Sequence, residues 1–366
     1  MYTELMNRVL DTTFKRENTV CYYNWHYEDG VLLKGLTYAY ELNHNEMYYN
    51  FIEDYLSHYI TEDGDVPRIT KRPASVDSLN NGKIILAAYK HSHRKCYERP
   101  IEIIKNAIAA HPRLTNSKAF AHKIIYADQV WLDGLFMLQP LYAELAQMYE
   151  MTDAFDDIAA QYALVDQYNY DDEKQLYYHA YDHSKSMFWA DPVTGHSPNF
   201  WGRAMGWFAM SAVDVLDFFP KNHPGRKHIL DSIGKIAEGI IRYQDESGVW
   251  YQILDKADEP DNYKESSCSC MFAYFLKKAL MKGYLPSKYE SCAKKAIDGI
   301  FNEFVTYDEN GMLHIHNVCL VAGLGPNKRP ERDGSYAYYM SEPVVDDDNK
   351  AFGTLLCLLT LYASEE

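Results

Sequence analysis

Twelve helix-forming segments alternate between two kinds along this chain, and that alternation limits its fold more than any other feature. One kind is amphipathic and charged, at about residues 2–16, 45–60, 96–111, 152–165, 224–243 and 287–304. The other is rich in small and apolar residues, at about residues 24–42, 77–90, 127–149, 200–218, 265–281 and 347–363. A helix with a polar stripe lies against water, whereas a helix apolar all round is enclosed. Six enclosed helices alternating with six half-exposed ones predict two concentric rings. The expected fold is an all-α (α/α)6 barrel, a single domain over residues 1–366.

The connections carry a second pattern. Segments 61–68, 172–182, 245–256 and 308–319 each follow a charged helix and hold a short alternating run. Three contain a D/E-x-G turn, so short β-hairpins are expected at one end of the barrel, just before inner helices. The long mixed stretch 321–345 reads as a lid or rim segment.

Charge narrows the partners. The formal net charge is −16, which speaks against nucleic acid or an anionic membrane as partner. An anionic ligand would need a locally positive pocket. No run approaches the roughly 18 apolar residues of a membrane span. The opening MYTELMNRVLDTTFKREN lacks an apolar signal core. Seven cysteines, an odd number without CxxC spacing, read as free thiols in a reducing, cytoplasmic compartment. The 32 tyrosines suit a sugar-lined cavity and ordinary helix packing alike.

An inner helix that follows such a connection starts at the same end of the barrel, so its first turns face the mouth. The residues placed there are Trp25, His26 and Tyr27; Asp77 and Asn81; Asp128, Gln129, Trp131 and Asp133; Trp201, Arg203 and Trp207; Glu265; and Asp346 to Asp348. N-capping accounts for some of the aspartates. Asp133 is different. The pattern puts it about a turn and a half inside its helix, as the only charge between Asp128 and Glu144. Such a carboxylate is either partnered or held at a working pKa. Asp77, in SVDSLNNG, is the second candidate. Two carboxylates sharing a site push one pKa up, which suits a general acid near neutral pH. In FWGRAMGW (200–207), Arg203 offers a planar fork to a carboxylate and the aromatics offer faces to a sugar. His179 lies in YYHAYD nearby in the pattern. No HExxH, Walker or dinucleotide-type glycine motif occurs, so no metal or cofactor is expected.

Several pieces resemble one family in its order along the chain. They are WHYEDGVLLKGL (25–36), VDSLNNG (76–82), ADQVWLDGLFMLQP (127–140), FWGRAMGW (200–207), ESSCSCMFAY (265–274) and DGSYAYYMSEPVVDDDNKAFG (333–353). The chain resembles the unsaturated rhamnogalacturonyl hydrolases, glycoside hydrolase family 105. The resemblance implies an (α/α)6 barrel. It implies a catalytic role for Asp133, with Asp77 as the second carboxylate. His179, Trp201 and Arg203 would contact substrate, and Tyr27, Gln129, Trp131 and Trp207, which the helix pattern places at the mouth, are expected to join them. One departure is Ala204-Met205, where the family often has Gly-Asn. The implied reaction releases a Δ4,5-unsaturated uronic acid from the non-reducing end of a pectin-derived oligosaccharide. It proceeds by hydration of the vinyl ether, without a cofactor. The nearest alternative is unsaturated glucuronyl hydrolysis of glycosaminoglycan fragments. Inverting hydrolysis by Asp77 and Asp133, a sugar epimerase and a non-catalytic scaffold lie further off.

Overall fold

A computed structural model describes residues 1–115 and 117–366. The outer helices are α1 (Tyr2–Lys15), α3 (Met47–Ser57), α7 (Glu98–Ala109), α9 (Thr152–Tyr168), α11 (Arg226–Arg242) and α13 (Glu290–Phe304). The inner helices are α2 (Tyr27–Asn43), α6 (Gly82–Ser92), α8 (Leu132–Met148), α10 (Gly202–Val215), α12 (Ser266–Met281) and α15 (Asn349–Ala363). Three short helices lie in connections: α4 (Pro67–Thr70), α5 (Val76–Leu79) and α14 (Tyr336–Ser341).

The inner ring closes. Helix α2 packs on α15, α15 on α12, α12 on α10, α10 on α8, α8 on α5, and α6 on α2. The outer helices lie against it, α1 on α15, α3 on α2, α7 on α6, α9 on α8, α11 on α10 and α13 on α12. Burial follows the two sequence patterns. Every residue of α10 is buried. Outer α11 buries one stripe, Ile229, Ile233, Ile236 and Ile240, at helical spacing. Each such isoleucine contributes roughly 1.5–3 kcal/mol by leaving water. Helices α2 and α15 approach closely because position 353 is glycine. A Cβ there would stand 2.6 Å from the Leu32 nitrogen.

The connections pair as short antiparallel ladders. They are β1 (Gln129–Trp131) with β4 (Ala180–Asp182), β2 (Tyr170–Asp171) with β3 (Leu176–Tyr177), β5 (Val305–Tyr307) with β6 (Leu313–Ile315), and β7 (Val318–Cys319) with β8 (Val344–Val345). Two of the four expected hairpins form, β2–β3 and β5–β6. Segment 61–68 instead turns at Gly64 (φ 77°) and enters α4, whose Pro67 lacks the N–H a ladder needs. Segment 245–256 makes only the single bridges Trp201↔Ile253 and Tyr251↔Lys264.

Two helix boundaries differ from the sequence pattern. The segment expected at 77–90 is split into α5 and α6 by Asn80 and Asn81. The Asn81 amide donates to the His26 carbonyl at 2.9 Å and to Tyr55 Oη at 3.1 Å, a packing role that breaks the helix. The segment expected from 127 becomes helical only at Leu132, because residues 129–131 pair with β4. Asp133 therefore stands in the first turn of α8, not a turn and a half inside it.

Candidate active site

A belt of backbone pairing at one end of the barrel brings the candidate residues together. The Val76 amide donates to the His122 carbonyl at 3.2 Å, and Ser75 bridges Lys123. The His122 amide reaches the Gln129 carbonyl at 3.0 Å. Ladder β1–β4 continues the belt, and the Leu132 amide reaches the His179 carbonyl at 3.1 Å. Further round, the Glu265 amide donates to the Trp250 carbonyl at 2.9 Å. Inner helices begin next to this belt, so their partly positive N-termini open on the same end. That bias favours an anion despite the acidic surface.

Asp133 Oδ2 lies 3.3 Å from His179 Nε2, without the alignment of a full hydrogen bond. The Asp133 side chain is 14% exposed and His179 is fully enclosed. His179 Nδ1 is 2.7 Å from Tyr339 Oη. Burial pushes the Tyr339 phenol well above its ordinary pKa, so it keeps its proton. The contact fixes the orientation of the imidazole, with Nε2 facing Asp133. Trp131 and Trp201 wall the imidazole at ring-centroid distances of 5.2 and 4.7 Å.

Asp77 is built differently. Its carboxylate is 2.6 Å from Lys123 Nζ and 3.6 Å from His122 Nε2. Burial pushes its pKa up, but Lys123 and His122 outweigh that and hold it below the ordinary carboxylate range. The sequence-based expectation of a raised acid is therefore not met at Asp77, which is a fixed anion. His122 stacks on Trp131 at 4.4 Å and 7°. Burial pushes its pKa down to about 4, against the pull of Asp77. Between that value and the ordinary 6.5, the unfolded chain binds the proton and the folded chain does not. Stability is thus lost as pH falls through this window, by about 2 kcal/mol between pH 7 and 5 from this group. Urea unfolding at the two pH values should show a smaller loss for His122→Gln than for the natural protein. An equal loss would mean His122 is protonated in the folded state.

Arg203 is fully buried on the first turn of α10. Its Nη1 donates to Ser267 Oγ at 3.3 Å and to the Cys319 carbonyl, and lies 3.9 Å from Glu265 Oε1. Its guanidinium carbon is 4.9 Å from the Trp201 ring. The Nε and Nη2 donors have no partner among the described residues. An unmet buried donor costs about 1–3 kcal/mol, more when charged. Glu265 caps α12 through the Cys268 amide at 2.7 Å and also takes the Cys319 amide at 3.0 Å.

Of the remaining aromatic candidates, Trp207 lies within the hydrophobic core and lines no described cavity, because it is packed on every side. It is stacked on Phe136 at 4.6 Å with the half-buried Tyr27 edge-on at 6.1 Å. Gln129 Oε1 accepts the Trp131 indole N–H at 3.0 Å, so Gln129 orients Trp131. Gln252 does the same for Trp201, also at 3.0 Å.

About two turns below Asp133, α8 contains Pro140. Proline has no N–H, so the Phe136 carbonyl loses its helical donor. Lys83 Nζ, from α6, takes that carbonyl at 2.6 Å and Asn80 Oδ1 at 2.7 Å. From α10, Ser211 Oγ donates to the Leu135 carbonyl at 2.9 Å. The two neighbouring inner helices thus hold α8 at its weak point. Sequence reasoning did not single out Lys83, His122, Lys123 or Tyr339. A lone lysine in the apolar run GKIILAAY and a proline within an inner helix were the available signals.

A closed double ring of helices whose mouth gathers carboxylates, histidines and aromatic faces has the architecture of a carbohydrate-active enzyme. Residues 5–365 match the family described as Glycosyl Hydrolase Family 88. A C. acetobutylicum ATCC 824 glycoside hydrolase from family 105 superposes with TM-score 0.94 at 35% identity, over 98% of this chain and 99% of that one. The unsaturated rhamnogalacturonyl hydrolase YesR of Bacillus subtilis (strain 168) is 28% identical over 301 residues, 81% of this chain and 80% of the relative. The unsaturated glucuronyl hydrolase of Bacillus sp. GL1 has the same fold, with TM-score 0.66 at 14% identity over 94% of this chain and 87% of that one. The chain therefore belongs to the family 88/105 glycoside hydrolases and is a glycosidase. The family expected from the motifs and the barrel expected from the helix alternation are the ones found.

Proposed function

We propose that this enzyme hydrates the C4=C5 double bond of an unsaturated uronic acid at the non-reducing end of a short, pectin-derived oligosaccharide. The observation that carries this reading is the Asp133 carboxylate against the enclosed His179, with Trp201 packed against both that imidazole and Arg203, an arginine with two unmet donors. The relatives' printed activities, on unsaturated rhamnogalacturonyl and glucuronyl groups, support it.

Asp133, protonated, delivers its proton to C4. Positive charge develops at C5 and the ring oxygen. Water adds at C5 and returns a proton to the same carboxylate. The hemiketal opens, and the glycosidic bond is lost in the rearrangement. One group serving as acid and then base is general acid–base catalysis in both directions. His179, oriented by Tyr339, hydrogen-bonds the carboxylate between these steps. Asp77 stays ionised through its pair with Lys123 and stabilises the positive charge that develops. Arg203 takes the uronate carboxylate with Nε and Nη2, the two donors the protein leaves unmet. Trp131 and Trp201 give the ring its faces. The test is loss of the ultraviolet absorbance of the conjugated uronate with defined unsaturated disaccharides. An enzyme that leaves this absorbance intact while cleaving saturated substrates is an ordinary glycosidase.

Arg203→Lys should raise KM more than it lowers kcat, because Lys keeps the charge and loses the two-point fork. The control is a substrate whose uronate is esterified. Equal discrimination between acid and ester by both proteins would remove Arg203 from this role. The seven cysteines are all free, which supports a cytoplasmic setting. Among the described residues no helix is long and apolar enough to cross a membrane.

A further inference from the structure

We infer that Arg68 and Arg72 form a subsite for a carboxylate on the sugar next to the unsaturated uronate, so that the preferred substrate carries two acidic residues. This rests on the functional reading above and extends it along the substrate.

A cleft of about 370 Å³ opens at the barrel mouth, lined by Trp25, Tyr27, Arg68, Arg72, Asp77 and Ser78 among others. Asp77, whose neighbour His122 stacks on Trp131, is among its lining residues. One wall is fixed by the Trp25 indole, which donates to the Ser78 carbonyl at 2.6 Å. The other is the turn around α4, started by Pro67. Arg68 is half-buried and gives one N–H to the Tyr23 carbonyl. Arg72, four residues on, is exposed.

Charge bookkeeping sets these two arginines apart. Deeper cations at the mouth are matched by the protein's own carboxylates. Lys123 has Asp77, and Arg203 has Glu265. Lys350 has Glu28 and Asp348, each at 2.8 Å. Lys71, between the two arginines, reaches Asp65 at 4.0 Å. Neither Arg68 nor Arg72 has a carboxylate oxygen within 4.0 Å among the described residues. In a chain of net charge −16, two uncompensated guanidiniums flanking the entrance make a local positive site. A planar guanidinium fork matches the two oxygens of a carboxylate. The uronate inside belongs to the Asp133 centre, so the group these arginines meet is carried by the next sugar outward.

The experiment uses a pair of unsaturated oligosaccharides that share a free terminal uronate. In one the adjacent sugar is a uronate with a free carboxylate, and in the other that carboxylate is a methyl ester. Hydration is followed by absorbance loss for the natural enzyme, Arg68→Gln and Arg72→Gln. The natural enzyme is expected to favour the free acid in kcat/KM by about tenfold or more, the worth of one charge-assisted contact. Each substitution should reduce that ratio, and added salt should reduce it too. Arg72→Gln keeps the test decisive if Arg68→Gln disturbs the turn, since Arg72 makes no hydrogen bond or ion pair with a described residue. A natural enzyme with equal kcat/KM for acid and ester overturns the subsite. So do variants that lower both rates by the same factor. Failure to consume either substrate instead overturns the hydration chemistry itself, and the subsite with it.

Discussion

Asp133→Asn will lower kcat by about 10²–10⁴-fold, the usual share of a general acid–base group. The amide fills the same space on the first turn of α8 but cannot pass a proton. Folding should change little, because the carboxylate makes no aligned hydrogen bond to a described residue and its side chain remains 14% exposed. Melting curves and circular dichroism provide the control. A variant that keeps more than about a tenth of the natural kcat would take the chemistry away from Asp133. The effect belongs in kcat rather than KM, since binding of the ring and carboxylate rests on other side chains.

The second large effect is expected at Lys83, and a second substitution should partly reverse it. Lys83→Met leaves the Phe136 carbonyl and Asn80 Oδ1 without their donor, at about 1–3 kcal/mol each. In the background of Pro140→Ala, residue 140 regains an N–H and can close the helical bond to Phe136. The cost of Lys83→Met should then shrink by about 1 kcal/mol or more in urea unfolding, a coupling expected of groups sharing one partner. Identical costs in both backgrounds would mean that Lys83 does not stand in for the missing N–H. A pH signature accompanies this. Burial lowers the Lys83 pKa from 10.5 to about 7. Between those values the unfolded chain holds the extra proton, so stability rises with pH from about 7 upward. Lys83→Met should lose that rise.

Much of the fold was legible because its two rings demand two kinds of helix, and composition alone separates them. GRAMGWFAMSAVDV is buried on every side, while the charges between Ile229 and Ile240 leave one apolar stripe. The start of α8 was misjudged because QVWLDGLFM is apolar enough for helix or strand, and only the distant partner Ala180–Asp182 decides for strand. Asp133, Asp77, His179 and Arg203 were legible as polar groups in apolar surroundings or at helix starts. His122 and Lys123 were not, since they come from an irregular stretch that acquires meaning only by pairing with residues 74–76. Tyr339 was hidden among the many tyrosines. Its link to His179 spans 160 residues, a separation no local pattern carries.

The β1–β4 ladder sets more than a local shape. Trp131 faces Ala180 in the register, so Asp133 and His179 are each within two residues of one paired rung. Their separation is fixed by that rung and by the Leu132 amide on the His179 carbonyl. The chain then departs at His183, whose amide is tied to the Asp128 carbonyl, and returns at Ser197, tied to Ala180. Everything between is an excursion clamped at both ends. Within it Trp189 packs in one buried cluster with Trp131 and Ala180, and Asp182 holds the amides of Ser186 and Met187. The excursion is thus a buttress, and a change at Trp189 would be felt at the Trp131 wall beside the reacting pair.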